Sequence, residues 1–208
     1  MKVAMYFSGR IQNEKHEINR EHLKKFNKYD ITYFCSLNKQ ANDEIFINKF
    51  CSEFNISEDR INVEEISVPE VDSKITIEGN INNMYSMFYH NYKAMELIKN
   101  FQDKHNTTFD AVIKYRADIY SQDIINIENN IENDTVFIPI GNDWLGGVND
   151  QVAYGNFNSM YKYSSCFLDF NKYAELYNIF HPERILKAHL IGNNFKINRF
   201  NYNYKLNK

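Results

Sequence analysis

The sequence predicts an α/β sandwich, a largely parallel central sheet with helices on both faces. Two observations carry that expectation. Short β-branched and aromatic runs alternate along the chain with stretches whose apolar residues recur at helical spacing. Such alternation sets parallel strands side by side with right-handed crossovers between them. No internal repeat and no Gly/Ser-rich linker interrupts the 208 residues, so the expected organisation is one domain over 1–208.

The elements follow in order. Val3–Phe7 is an apolar run broken by Ser8, Gly9 and Arg10, which reads as a first strand and its exit turn. The polar stretch from Gln12 to Lys28 reads as a loop leading into a helix. Ile31–Ser36 repeats the strand signature, and Asp43–Phe54 sets Ile45, Phe46, Lys49 and Phe50 at helical spacing, a second β-α unit. Ile61–Ile66 alternates apolar and polar residues as a third strand, before Pro69 and a polar loop to about Gly79. Asn82–Lys104 is the longest helical pattern, with Met84, Met87, Phe88, Met95 and Ile98 forming a core stripe. The strand Ala111–Tyr115 follows, then Thr135–Ile140, a glycine-bearing loop over Trp144–Gln151, and an apolar return at Val152–Tyr154. The last third reads as a helix from about Asn158 to Phe180, a second helix opened by Pro182, and an aromatic, Asn-rich terminal segment.

Composition excludes several classes. With 24 Lys+Arg against 27 Asp+Glu the formal charge is −3, and no basic block is long enough for a nucleic-acid footprint. Cys35, Cys51 and Cys166 are odd in number and widely spaced, which suits small buried side chains in a reducing compartment rather than a disulfide framework or a zinc site. Neither a signal peptide nor a membrane span is legible, so the expected location is cytoplasmic.

Chemistry is expected where the strands end. In open α/β sheets ligands gather at the carboxyl edge, and polar clusters fall there after the first, fourth and fifth strands. Ser8, Gly9 and Arg10 can offer backbone N–H groups and a guanidinium to a diphosphate, although the turn lacks the glycine pattern of a P-loop or a dinucleotide fingerprint. Arg116 and Asp118 end the fourth strand: a guanidinium matches phosphate oxygens and a carboxylate suits Mg²⁺ or Mn²⁺. The alternative for this pair is a structural ion pair capping the strand. Asp123 lies close enough in sequence to share the site, and Glu70 with Asp72 is a rival acidic pair. His181 and His189 flank the late helix, and either can offer a nitrogen to a metal.

The loop Gly146–Gln151 joins a glycine hinge to Asn149, Asp150 and Gln151. Asp150 is the expected catalytic carboxylate, able to take a proton from a hydroxyl or to stabilise positive charge on a sugar. The competing reading is an Asx-type turn ahead of an edge strand. Trp144 is either a sugar-stacking platform or a core anchor.

Taken in order, the exit Ser8–Arg10, the strand end Lys114–Asp118 and the stretch Asn149–Gly155 resemble small GT-A glycosyltransferases, particularly those of large algal viruses and bacterial surface-glycan enzymes. The resemblance spans most of the chain. It implies a GT-A-like three-layer fold, with a nucleotide-binding part of about 1–120 and an acceptor-binding part of about 121–208. It also implies a hexosyl transfer from a UDP-sugar to a glycan hydroxyl, assisted by Mn²⁺ or Mg²⁺. On that resemblance Asp118 is the metal-binding acid, Arg10 and Arg116 lie on the nucleotide and phosphate side, and Asp150 on the acceptor side. With the residues read above, Ser8, Gly9, Arg10, Arg116 and Asp118 are the expected nucleotide-sugar contacts, Trp144, Asn149 and Gln151 the expected acceptor contacts, and Asp118 with His189 the expected metal ligands. A viral origin would place the protein in the host cytoplasm. The chain departs from the family's two-acid pattern, because Arg116 stands at the first acidic position. A non-catalytic nucleotide-sugar or glycan-binding module, and a nucleotidyltransferase, are the alternative functions.

Overall fold

The computed structural model describes residues 1–9, 23, 25–39, 44–67, 76–77, 80–116 and 118–206. Arg10, Glu70 and Asp72, and most of the stretch from Gln12 to Lys28, lie outside the described residues.

The first β-branched and aromatic runs form β1 (Lys2–Gly9) and β2 (Asp30–Asn38), followed by helix α1 (Glu44–Glu53) and strand β3 (Ile61–Glu64). After the two-residue strand β4 (Thr76–Ile77) comes the long helix α2 (Ile81–His105), then β5 (Ala111–Tyr115), β6 (Ile119–Ser121), β7 (Thr135–Pro139) and β8 (Val152–Gly155). The last third contains α3 (Phe157–Ser164), α4 (Phe170–Tyr177), β9 (Ile179–Phe180), α5 (Pro182–Gly192), β10 (Lys196–Phe200) and β11 (Tyr204–Leu206).

Asparagine does much of the local work. Asn80 and Asn156 cap α2 and α3 by accepting the backbone N–H of Asn83 and Ser159 at 3.1 and 2.8 Å. Asn106 and Asn178 end α2 and α4 in the left-handed conformation, where a chain with only 7 glycines uses the next most tolerant residue.

Seven strands form the central sheet in the order β10-β7-β8-β5-β1-β2-β3. All neighbours are parallel except β8, which runs antiparallel to both β5 and β7. The sheet is thus largely parallel, as expected. Strands from both the 1–120 and the 121–208 parts pair within it, β5 with β8 at Tyr115↔Val152.

Alternate side chains of the strands go to opposite faces. Ala4, Tyr6, Phe34, Val112, Val136 and Ala153 pack with residues of α2 to α5 on one face. On the other, Val3, Met5, Phe7, Ile113, Tyr154 and Val152 meet α1, Leu23, Phe26 and the loop residues Ile125 and Ile127. Helices therefore lie on both faces, unequally.

Two readings of the last third change. The helix expected over Asn158–Phe180 is divided by a 3₁₀ turn at Ser165–Asp169, where the Ser165 hydroxyl donates to the Lys162 carbonyl at 2.8 Å and competes with continued α-helix. Asn178 then stops α4, and Ile179–Phe180 pairs in parallel with β4. The terminal segment supplies the edge strand β10, parallel to β7, and β11, antiparallel to β6. Lys196 and Arg199 give β10 the charged character that guards an edge. No helix among the described residues is long and apolar enough to cross a membrane.

Candidate functional site

The chain builds β1, β2 and β3 outward in one direction and then returns to place β5 on the other side of β1. That reversal makes the β1/β5 junction a topological switch point, and the crevice at the carboxyl ends of strands meeting there is the favoured ligand site of open α/β sheets. The register pairs Tyr6 with Lys114, so Ser8 and Gly9 leave the sheet beside Arg116. Because β8 is antiparallel to β5, its starting end lies at the same edge, and Asp150 and Gln151 come down beside them. A cavity of about 440 Å³ opens at this edge, within the roughly 300–1,000 Å³ usual for small-molecule sites.

Ser8, Gly9, Arg116 and Asp118 line its β1/β5 side. Gly9 has φ +86°, a left-handed conformation that favours glycine at the lip of the cavity. The Ser8 hydroxyl donates to Asn91 Oδ1 at 2.6 Å, which leaves its oxygen as an acceptor. Arg116 grips Asp118 with a two-pronged contact, Nε to Oδ1 at 2.9 Å and Nη2 to Oδ2 at 2.6 Å. The ion pair read from the sequence as an alternative is present, and both its members line the cavity.

Asp150, Gln151, Pro182 and Glu183 line the β8/α5 side. Asp150 and Glu183 are 5% and 6% exposed, a pair of carboxylates almost out of water. Burial, and then the charge of Asp150, push the Glu183 carboxyl up to about 7, against the pull of Arg116 and Lys114. His181 Nδ1 lies 3.1 Å from Glu183 Oε2. Lys114 is buried under this side, and its ammonium donates to the Asp150 backbone carbonyl. Burial lowers the Lys114 ammonium to about 8.

The loop before β8 is docked rather than hinged. A Cβ on Gly147 would stand 2.4 Å from the Glu183 carbonyl carbon, so only glycine permits this approach. Val148 N–H donates to the Glu183 carbonyl at 3.1 Å, and Lys187 Nζ to the Gly146 carbonyl at 2.7 Å. Arg199 Nη2 holds both Asp143 oxygens at 2.9 Å.

Several expected site residues are placed elsewhere. Asn149 is fully buried and spends its side chain on the fold: Nδ2 donates to the Gly141 carbonyl and the Tyr204 hydroxyl at 3.0 and 2.7 Å, and Oδ1 accepts Gln151 N–H at 2.9 Å. It is an Asx-turn brace, not an acceptor contact, and it precedes a central strand rather than an edge. Gln151 does reach the cavity, with Oε1 accepting from the Tyr204 hydroxyl at 2.7 Å. Trp144 is 62% exposed on the turn leading to Asp150 and anchors no core. Asp123 is drawn off to Asn203, whose backbone and side-chain N–H groups both donate to Oδ2 at 3.0 Å.

His189 is also away from the cavity. It is buried in the helical layer, with Nε2 2.7 Å from the Lys162 carbonyl oxygen and Nδ1 3.3 Å from Asn193 Nδ2, so both nitrogens are committed. With both Asp118 oxygens held by Arg116, and no group of three His, Cys, Asp or Glu gathered for a metal among the described residues, the donor set does not fit a divalent cation.

Sequence reasoning missed Glu183, Asn38 and Ser86. An acid in the first turn after Pro182 is ordinary helix-start chemistry and signals nothing more. Asn38 had a signal, its place at the carboxyl end of β2, and its Nδ2 donates to Ser86 Oγ at 3.1 Å on the cavity lining.

A family model described as a domain of unknown function, DUF7796, matches residues 13–197. The chain belongs to the DUF7796 family. No curated protein matches this DUF7796 chain. Among solved structures it is similar to the galactosyltransferase LgtC, solved with donor and acceptor sugar analogues, at 13% identity and a TM-score of 0.52, covering 96% of this chain and 73% of that one. A glycosyltransferase involved in glycosylation of the major capsid of PBCV-1 matches at 9% identity and a TM-score of 0.47, over 97% and 82% of the two chains. The fold of this DUF7796 member is that of GT-A-like glycosyltransferases.

Proposed function

We propose that the cavity takes a nucleoside diphosphate sugar, UDP-linked, and that the protein transfers its hexose to a hydroxyl of a glycan. One observation carries the reading. At the switch point of a GT-A-like sheet, a single cavity combines a guanidinium suited to phosphate with a buried carboxylate pair suited to moving a proton. The likeness of the fold to glycosyltransferases supports it.

In this reading the acceptor oxygen bonds to the anomeric carbon as the bond from that carbon to the diphosphate breaks, and the electron pair leaves with the diphosphate. The acceptor proton goes to the Asp150/Glu183 pair. The Glu183 carboxyl, raised to about 7 by burial and then by the Asp150 charge, sits where a general base works best. The exposed Trp144 ring, on the turn that leads to Asp150, offers a face for an acceptor sugar.

The test is incubation of the full chain with UDP-sugars, with and without oligosaccharide acceptors, while UDP release is followed. Slow donor hydrolysis that accelerates with an acceptor is expected. Nucleotide-sugar binding with no UDP release would make the protein a binding module, and pyrophosphate release from a nucleoside triphosphate would make it a nucleotidyltransferase.

A further inference from the structure

We infer that this site holds its donor diphosphate without a divalent cation, with the Arg116 guanidinium as the phosphate ligand and Asp118 as the residue that positions it. The inference rests on the nucleotide-sugar reading and concerns how the charge of the leaving group is met.

Arg116 offers five N–H donors in a rigid plane. Its Nε and Nη2 edge is spent on Asp118, while Nη1 makes no hydrogen bond among the described residues. Asp118 is therefore a clamp: by holding one edge of the plane it fixes the guanidinium of a cavity-lining residue, and a preorganised fork loses little freedom when phosphate arrives. Ligation of a metal would set a dication on oxygens already shared with the Arg116 guanidinium, cation against cation.

The charges agree with this division. A two-acid metal site is anionic until its ion binds, whereas the Arg116–Asp118 pair is neutral before any ligand enters. Lys114, buried on the same strand two residues earlier, is a second cation beneath the cavity. Positive charge aimed at the leaving diphosphate is the requirement that a metal meets in other transferases. Here the Arg116 guanidinium, with the Lys114 ammonium beneath it, meets it.

The experiment uses the full chain with UDP, GDP, CDP or dTDP as probes, in buffer with EDTA and in buffer with Mn²⁺, followed by thermal shift and calorimetry. The expected result is one nucleotide with equal stabilisation in both buffers. Arg116→Gln should weaken that nucleotide by about 10- to 100-fold, the loss of a charged hydrogen bond, and Asp118→Asn, which still accepts from Arg116, by less than about tenfold. Binding that appears only with Mn²⁺, or a greater loss in Asp118→Asn than in Arg116→Gln, would overturn the inference and leave the nucleotide-sugar reading standing. Should Arg116→Gln fail to fold, the EDTA comparison on the unsubstituted chain decides alone. No stabilisation by any of these nucleotides in either buffer would overturn both.

Discussion

The two sides of the cavity are built from the same residue types and behave oppositely. On the β1/β5 side a carboxylate is held by a guanidinium at 2.6 Å, opposite charges fixed against each other. On the β8/α5 side Asp150 stands with a second buried carboxylate, Glu183, and burial with the Asp150 charge raises the Glu183 carboxyl to about 7. One side fixes opposite charges against each other, and the other holds a carboxyl, Glu183, that gains and loses a proton near neutral pH. That is the division a transferase needs between holding an anionic donor and deprotonating a neutral acceptor.

The largest expected effect breaks the second side alone. Asp150→Asn keeps the shape and removes the charge, so transfer should fall by about two to four orders of magnitude while donor affinity by calorimetry holds. Loss of both together would move Asp150 to the donor side.

Gly147→Ala tests whether the two carboxylates depend on one docked loop. The new Cβ would meet the Glu183 backbone at 2.4 Å, and the resulting shift should cost about 1–3 kcal/mol in denaturant unfolding and reduce transfer with it. Full stability in that variant would show that the loop is not seated on α5.

Glu183→Gln sharpens the comparison through pH. A carboxyl whose folded value is raised to about 7 from an ordinary 4.5 stabilises the fold most below the lower value, and that contribution is lost as pH rises through the folded one. The stability of Glu183→Gln relative to the unsubstituted chain should therefore improve between about pH 4.5 and 7, by on the order of 1–3 kcal/mol. Parallel stability curves would contradict the assigned environment.

The smallest effect lies outside both sides. Leu145 holds φ +49° while 55% exposed, a left-handed cost without a packing reward. Leu145→Gly should raise stability by about 1 kcal/mol in chemical unfolding. A loss of stability there would reveal a contact that the left-handed turn preserves.

The β1/β5 side was legible because both ends of it are written locally: an apolar run stops at Ser8, another stops at Arg116, and carboxyl ends of strands are where ligands bind. The β8/α5 side was half legible. Asp150 stood out beside its glycines, yet Glu183 is 33 residues away and looks like any acid at a helix start, and only the antiparallel insertion of β8 brings the two together. Asn149 and His189 show the converse error. Each has functional chemistry, and tertiary packing spends that chemistry on the fold, through the Gly141 and Lys162 carbonyls. The strand β10 escaped notice because an edge strand with lysine and arginine lacks the apolar signature of a buried one.

The most direct test of the division between the two sides is one preparation measured at two endpoints from pH 5.5 to 8.5: donor affinity by calorimetry and transfer under saturating donor. The account predicts a transfer rate that rises through an inflection near 7 and a donor affinity that stays level across it, with the inflection abolished in Glu183→Gln. Donor affinity that changes through the same inflection as the rate would contradict it, because the two sides would then be acting as one charged unit.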